Sequence, residues 1–170
     1  DLGPIGLRTG MDEQSFKDVL EHQVLTSFKG YVGINNHMGS RLTQDREAMG
    51  WVMEELKPRG LFFVDSKTIG TSVAAEVAAE YGVPFAERDV FLDHVDEYSA
   101  VMSSLEKLEA TARRKGYAIA IGHPKENTVS ALRAWLLGAL ERGVEVVPVA
   151  SLLTHLEEAP SLRHTVAIQN

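Results

Sequence analysis

Residues 61–68 read Leu-Phe-Phe-Val-Asp-Ser-Lys-Thr, and this short stretch decides the fold class. Its first four residues form a continuous apolar run, which is typical of a strand buried on both faces of a parallel sheet. Polar residues follow at once, beginning with Asp65. The stretch therefore predicts a buried strand that ends at a carboxylate.

The same pattern recurs along the chain. Short apolar runs at 31–34, 83–85, 117–121 and 144–147 predict four more strands, and an extended piece is expected within 88–93. Helical spacing of apolar residues falls between them, in these stretches: 11–27, Thr43 to near Pro58, 72–81, 96–115, 128–142 and 151–158. Alternating strands and helices predict parallel strands joined by helical crossovers, an α/β fold. About five strands are too few for a closed eight-stranded barrel, which usually needs roughly 250 residues, so an open sheet or part of a barrel is expected.

Composition excludes several function classes. The 170 residues carry 17 Lys and Arg against 24 Asp and Glu, a formal net charge of −7. An acidic chain without a basic run argues against nucleic-acid binding. Cysteine is absent, which excludes disulfides, cysteine zinc sites and a thiol nucleophile within this sequence. No apolar run approaches the roughly 20 residues of a membrane span, and no glycine-rich phosphate loop is present.

Ionisable side chains follow three of the predicted strands. His37 comes after Asn35 and Asn36, Asp65 ends the run quoted above, and His123 follows Gly122. Because parallel strands present their carboxyl ends at one rim, these groups are expected to share a pocket mouth. Two imidazoles and a carboxylate suit either a metal site or general acid–base chemistry.

Structural alternatives stay open for each of these residues. His37 could hydrogen-bond its own turn, Asp65 could cap the following helix, and His123 could have a purely structural role. Three other histidines are expected at the surface: His22, His155 and His164.

Four ordered blocks carry a resemblance to a known family. They are Asn35-Asn-His-Met-Gly-Ser40, Leu61-Phe-Phe-Val-Asp-Ser-Lys-Thr68, Arg88-Asp-Val-Phe-Leu-Asp93 and Ile121-Gly-His-Pro124. In order and spacing they resemble the divergent polysaccharide deacetylase family of bacteria, over roughly residues 1–153. That family is in turn similar to carbohydrate esterases of the chitooligosaccharide deacetylase type.

The resemblance implies an irregular (β/α) barrel of seven or eight strands, of which this chain holds the C-terminal part. Residues 1–160 would form a partial barrel domain and residues 161–170 a tail. The first strands, with an Ile-Asp-Asp block, would precede residue 1. Outside the four blocks the chain departs from the broader esterases, because it contains neither an Asp-Asp pair nor a His-x-x-x-His.

The resemblance also implies an activity and roles for residues. Such enzymes remove acetyl groups from a bacterial envelope polysaccharide, with a water bound to a divalent metal, usually zinc, attacking the acetyl carbonyl. His37 would bind the metal, His123 would be the general acid, and Asp65 would be a carboxylate that orients a histidine or meets substrate. Substrate binding would fall to Asn35, Asn36, Ser40 and Asp93.

The resemblance leaves the choice of function open between classes. The first is a metal-dependent deacetylase acting on a glycan substrate outside the cytoplasm, in the periplasm of a double-membrane bacterium. The second is a catalytically silent glycan-binding or envelope-organising domain on the same fold. A third is hydrolysis of a small amide. The oligomeric state is not predicted.

Overall fold

The computed structural model describes residues 6–158 and 165–169. The chain divides into two compact units, Asp1–Glu87 and Arg88–Asn170, called here the first and the second unit. Each unit builds its own parallel sheet, and each is described by itself below.

The first unit holds a three-stranded sheet and three α-helices. The elements are α1 (Glu13–Val19), β1 (Gly33–Asn35), α2 (Arg46–Leu56), β2 (Phe62–Asp65), α3 (Ala74–Tyr81) and β3 (Phe85–Glu87). A π-helical turn at Leu20–Leu25 continues α1. The strands are parallel in the order β1-β2-β3, with Ile34 opposite Phe63 and Asp65 opposite Glu87. Asp65 and the residues after Asn35 therefore leave the sheet at the same edge.

Local chemistry fixes where these helices begin and end. The Asp12 carboxylate accepts the backbone N–H of Ser15 and so caps α1, and Asp45 caps α2 through the N–H of Ala48. Gly82 ends α3 in the left-handed conformation at φ 64°, which glycine adopts without a steric penalty. The core between helices and sheet is formed by Phe16, Leu20, Met49, Met53, Leu56, Phe63 and Val77, among others.

The second unit holds four strands and three helices. The elements are β4 (Val90–Phe91), α4 (Tyr98–Lys115), β5 (Tyr117–Ile121), α5 (Glu126–Leu136), β6 (Glu145–Val147), α6 (Val149–Glu158) and β7 (Thr165–Gln169). Their order in the sheet is β4-β5-β7-β6, and every pair is parallel. The apolar stripe of α4 (Val101, Leu105, Leu108 and Ala112) packs in one buried cluster with Ala118, Ala120 and Trp135. Packing of this stripe holds β5 in place under α4.

The parallel α/β prediction is confirmed, with two additions to the strand count. Seven strands lie in the described residues, because β4 pairs as a true strand and β7 occupies part of the predicted tail. Thr165–Gln169 lie in the stretch predicted as a tail, and they pair with both β5 and β6. The irregular barrel of seven or eight strands, of which this chain would hold the C-terminal part, stays a prediction. The division into a domain over residues 1–160 and a tail over 161–170 also stays a prediction.

One helix prediction is also corrected. The helix expected over 128–142 ends at Leu136. The side chain of Leu136 is 44% exposed and that of Leu140 is 77% exposed. The helical spacing predicts that Leu132, Trp135, Leu136 and Leu140 face inward, but of these four only Trp135 is buried in the core. Across the described ranges, no helix combines the length and apolarity needed to cross a bilayer.

Candidate functional site

Two neighbouring loops of the first unit are tied together at the carboxyl edge of its sheet. The Oδ1 atom of Asn36, after β1, accepts the backbone N–H of Ser66, after β2, at 2.7 Å. Met38 and Lys67, one in each loop, have left-handed backbone φ angles of 53° and 49°. Such conformations cost free energy in residues other than glycine and concentrate at functional sites. Both loops are therefore held in defined and unfavourable shapes.

The loop after β1 lines a cavity of about 780 Å³. Four predicted site residues lie in its wall: Asn35, Asn36, His37 and Ser40. Apolar side chains of the core make up another part of the wall: Leu20, Val24, Ile34, Met49, Val52 and Phe63. The volume lies within the usual range of small-molecule pockets. The structure thus brings together the Asn-Asn-His-Met-Gly-Ser block around a space large enough for a ligand.

Gly39 gives Asn36 the room that this arrangement needs. A Cβ atom on Gly39 would lie 3.1 Å from the Asn36 Cβ and 3.2 Å from its Nδ2. These distances are closer than ordinary van der Waals contact, so a side chain at this position would push Asn36 away. The glycine in the block therefore supports the bond between Asn36 and Ser66.

Asp65 is fully buried and holds the loop that connects β2 to α3. Its Oδ1 accepts the backbone N–H of Lys67 at 2.8 Å, and its Oδ2 accepts the hydroxyl of Ser72 at 2.6 Å. The Ser72 hydroxyl in turn accepts the N–H of Ala74, the first residue of α3. These bonds match the capping alternative, although through Ser72. An orienting or catalytic role for Asp65 stays a prediction.

In the second unit, a carboxylate from one strand end meets an imidazole from the next. Asp93 lies two residues beyond β4 and His123 two residues beyond β5. The His123 Nδ1 atom lies 3.2 Å from Asp93 Oδ1 and 3.1 Å from Oδ2, and Oδ2 also accepts the backbone N–H of His123 at 2.9 Å. The Asp93 side chain is 0% exposed, whereas that of His123 is 44% exposed.

Further groups complete this dyad. The Thr128 hydroxyl lies 3.3 Å from Asp93 Oδ2, and the Lys125 ammonium lies 3.8 Å from the same oxygen. The ring of Phe91 meets the imidazole edge-on, with centroids 5.6 Å apart. Burial raises the pKa of Asp93, but the backbone N–H and ring of His123 and the charges of His123 and Lys125 outweigh it. The net result is a pKa below the usual value for aspartate.

The burial of Asp93 argues against its predicted contact with substrate. A side chain with no exposed surface cannot meet a ligand directly, and both of its oxygens already face His123. The geometry instead makes Asp93 the residue that orients the His123 ring. Substrate binding by Asp93 stays a prediction, and the geometry favours a positioning role instead.

Sequence reasoning missed Lys125 and Thr128 as members of this site. Their position in the sequence could have indicated them, because both lie within five residues of His123. Thr128 also lies in the first turn of α5. The start of α5 therefore lies near the carboxyl end of β5, where both side chains reach Asp93.

Asp89 fixes the register that brings Asp93 to His123. Its backbone N–H donates to the Ile119 carbonyl at 2.8 Å, and its Oδ2 accepts the Ile119 N–H at 2.9 Å. The Lys115 ammonium pairs with the same carboxylate at 3.0 Å. Asp89 therefore extends the pairing of β4 with β5 before β4 begins, so that the register places Asp93 beside His123.

Metal-binding geometry is not found in the part of the chain that the structure describes. No group of three or more His, Asp or Glu side chains lies there in an arrangement that could hold a metal ion. The metal role of His37 stays a prediction, as does a common pocket mouth for His37, Asp65 and His123. His22 and His155 are exposed, and His164 lies outside the described residues.

Comparison with protein families gives one match. A family model described as "Divergent polysaccharide deacetylase" matches residues 1–153. The match includes β1 to β6 and both loop sites described above. It also agrees with the resemblance that the four sequence blocks indicate.

Individual relatives are similar but have no described activity. An uncharacterized protein of Haemophilus influenzae is 36% identical over 167 residues, covering 92% of this chain and 59% of its own length. The uncharacterized protein YibQ of Escherichia coli is 39% identical over 122 residues, covering 72% of this chain and 38% of its own. The chain thus spans less than two thirds of either relative.

A solved structure shares the fold. The crystal structure of the uncharacterized protein ATU2773 from Agrobacterium tumefaciens superposes with a TM-score of 0.85 at 30% sequence identity. The superposition covers 88% of this chain and 61% of that protein.

Proposed function

The chain belongs to the divergent polysaccharide deacetylase family, and from this premise we propose that it removes acetyl groups from a bacterial envelope polysaccharide by hydrolysis. The family indicates a carbohydrate-related function. In the proposed reaction, water attacks the acetyl carbonyl carbon, the bond from that carbon to the sugar nitrogen or oxygen breaks, and acetate is released. The leaving amine or alcohol then needs a proton.

The Asp93–His123 pair is the observation that carries this proposal. Because the pKa of Asp93 is lowered, its carboxylate is ionised near neutral pH and can only accept hydrogen bonds. The Nδ1 of His123 must then carry the hydrogen that lies between them. Proton exchange with the substrate falls to Nε2 of the same half-exposed ring. This arrangement of a buried carboxylate and an oriented, half-exposed imidazole suits a general acid.

The cavity of the first unit, taken by itself, has a lining that suits a sugar. Asn35 and Ser40 offer an amide and a hydroxyl in its wall, and such groups bind the hydroxyls of sugars. The apolar side chains behind them suit the methyl group of an acetyl substituent or the face of a sugar ring.

A divalent metal, zinc by resemblance, is proposed as cofactor with His37 as one ligand. The described residues do not fit this cofactor by themselves, because they do not bring three ligating side chains together. Zinc content, measured for the protein and for His37→Ala after dialysis, tests the proposal, with exposed His22→Ala as the matched control. Equal zinc content in all three would contradict it.

Acetate release is the decisive experiment for the function. The protein is incubated with N-acetylated chitooligosaccharides, with O-acetylated polysaccharides and with small amides, and free acetate is measured. We expect release from the glycans and its loss in His123→Ala, whereas His155→Ala, at an exposed position in the same unit, keeps it. Unchanged acetate release by His123→Ala would contradict the role of His123 as general acid. Acetate release from small amides alone would contradict a glycan as the substrate.

A silent glycan-binding domain is the second candidate, because the cavity wall of the first unit offers an amide and a hydroxyl to a sugar whether or not hydrolysis follows. This reading expects saccharide binding without acetate release, and equal affinity in the protein and in His123→Ala. The deacetylase proposal expects both binding and release. We propose an extracytoplasmic, periplasmic location for either activity, because an envelope polysaccharide lies there.

A further inference from the structure

The cavity of the first unit has an electrostatic character that the acidic chain does not share. Two arginines, Arg8 and Arg41, lie in its wall beside His37. None of the described residues that line it is an aspartate or a glutamate, although the chain as a whole carries a net charge of −7. Positive side chains without neighbouring carboxylates create a local positive potential, even in a protein whose net charge is negative.

Arg8 and Arg41 differ from several other arginines of the described residues in their ion pairing. In the described part of the chain, no acidic side chain forms an ion pair with Arg8 or Arg41, whereas four other arginines pair with glutamates: Arg46, Arg59, Arg113 and Arg142. A guanidinium presents a planar fork of donors that matches a carboxylate or a phosphate. Both forks are therefore available to a ligand in the cavity.

Two buried hydrogen-bonding groups in the same wall have no partner among the described residues. They are the Nδ2 of Asn36 and the hydroxyl of Thr43, whose residue is only 1% exposed. Buried polar groups are nearly always hydrogen-bonded in folded proteins, and an unpaired one costs free energy. Both of these groups can donate. A ligand rich in acceptor oxygens would satisfy them.

We propose that this cavity binds an anionic sugar, one whose ring carries a carboxylate or a phosphate beside its acetyl group. The anionic group pairs with Arg8 and Arg41, and the sugar oxygens accept from Asn36 and Thr43. The apolar wall formed by Leu20, Val24 and Phe63 takes the methyl group of the acetyl or of another small substituent. The inference rests on the proposed function, since it names the class of glycan that the proposed activity would take.

Three probes that share one ring test the inference. N-acetylglucosamine is neutral, N-acetylmuramic acid adds a carboxylate, and N-acetylglucosamine 6-phosphate adds a phosphate. Binding to the protein is measured by calorimetry at low ionic strength. We expect at least one anionic probe to bind about tenfold or more tightly than the neutral sugar, with an affinity that falls as salt is added. The stronger of the two anionic probes identifies the source of the charge.

Variants assign the effect to the two arginines. Arg8→Ala and Arg41→Ala should each weaken the anionic probe about tenfold and leave the neutral sugar unchanged. Arg8→Lys and Arg41→Lys should each give an intermediate loss of affinity for the anionic probe, because lysine keeps the charge without the planar fork of donors. Arg133→Ala, at an exposed position on α5, is the matched control and should change nothing. Both cavity arginines are themselves exposed, so their variants should fold.

The outcomes separate this inference from the proposed function. Equal binding of all three probes, no binding of any, or anionic binding that survives both arginine variants would overturn the inference. Acetate release from glycans without a charge preference would uphold the deacetylase and overturn the anionic subsite. Arginine-dependent anionic binding without acetate release would uphold the subsite and remove the deacetylase.

Discussion

The buried Asp93 carboxylate binds both the backbone and the imidazole ring of His123. The backbone N–H of His123 donates to Asp93 Oδ2 at 2.9 Å, and Nδ1 of the same residue lies 3.1 Å from that oxygen. One carboxylate therefore fixes where the loop after β5 lies and how the imidazole is turned. A change at Asp93 should affect the orientation of the ring more than the fold of the sheet.

Asp93→Asn should lower acetate release by about 10²- to 10⁴-fold, the usual contribution of a general acid or base. An amide keeps one acceptor oxygen but can also present its NH₂ to Nδ1, which favours the wrong tautomer of the ring. Asp96→Asn is the matched control, because Asp96 is a half-exposed carboxylate near the same Lys125. The measurement is kcat on an acetylated chitooligosaccharide. A comparable loss in both variants would contradict the positioning role.

The stability of the protein should depend on Asp93 in a defined pH window. Burial raises the pKa of Asp93, but the hydrogen bonds and charge of His123 and the charge of Lys125 outweigh this effect, so the pKa lies below the usual value for aspartate. A carboxyl group with a lowered folded-state pKa stabilises the fold above its unfolded pKa, and this contribution is lost as pH falls through the folded pKa.

The difference in unfolding free energy between the protein and Asp93→Asn should therefore be constant above about pH 4 and shrink in more acidic solution. Urea denaturation at a series of pH values measures it, and other carboxyl groups cancel in the difference. A difference that stays level down to pH 2 would show that the carboxylate is not specifically stabilised.

Asn36→Ala should destabilise the first unit by about 1–3 kcal/mol, because the Ser66 N–H loses its acceptor in a partly buried position. Asn35→Ala is the control next to it. Its exposed side chain makes only a 3.4 Å bond to the Asn36 carbonyl, so a change within about 0.5 kcal/mol is expected. Thermal and chemical denaturation measure both. Equal effects would mean that the bond between the two loops does not matter for stability.

The strand ends that carry chemistry could be predicted from the sequence because each follows a compact apolar run. This reasoning placed Asn36, His37 and His123 in the correct loops. It could not show that Asp93 points inward. The bond from Asp93 to His123 joins residues 30 positions apart, and a carboxylate after a strand looks the same in sequence whether it meets substrate or a histidine.

Strand β7 was missed for a related reason. Its five residues lie between β5 and β6 in the sheet, and pairing with two distant strands stabilises it. Residues 165–169 read Thr-Val-Ala-Ile-Gln, and periodicity alone does not separate a strand from a helix segment over so short a stretch. The end of α5 at Leu136 could not be predicted either. Leu140 continues the helical spacing of apolar residues in the sequence, although its side chain is exposed in the structure.

Gly122→Ala should damage stability and activity together. A Cβ atom at this position would lie 3.2 Å from Thr128 Cγ2 and 3.3 Å from Leu92 Cβ, and both neighbours are buried. Overpacking of this kind costs about 1–3 kcal/mol. Leu92 and Thr128 flank the Asp93 carboxylate, the first in sequence and the second through its hydroxyl, so relief of the clash should also move Asp93 away from His123.

Gly70→Ala is the control for this substitution, because a Cβ there meets nothing within 4 Å. We expect Gly122→Ala to lower the denaturation midpoint and to reduce kcat further than the stability loss explains at a temperature where the variant is fully folded. Gly70→Ala should leave both unchanged. A Gly122→Ala variant that is less stable but fully active when folded would show that the His123 geometry tolerates movement of its supporting residues.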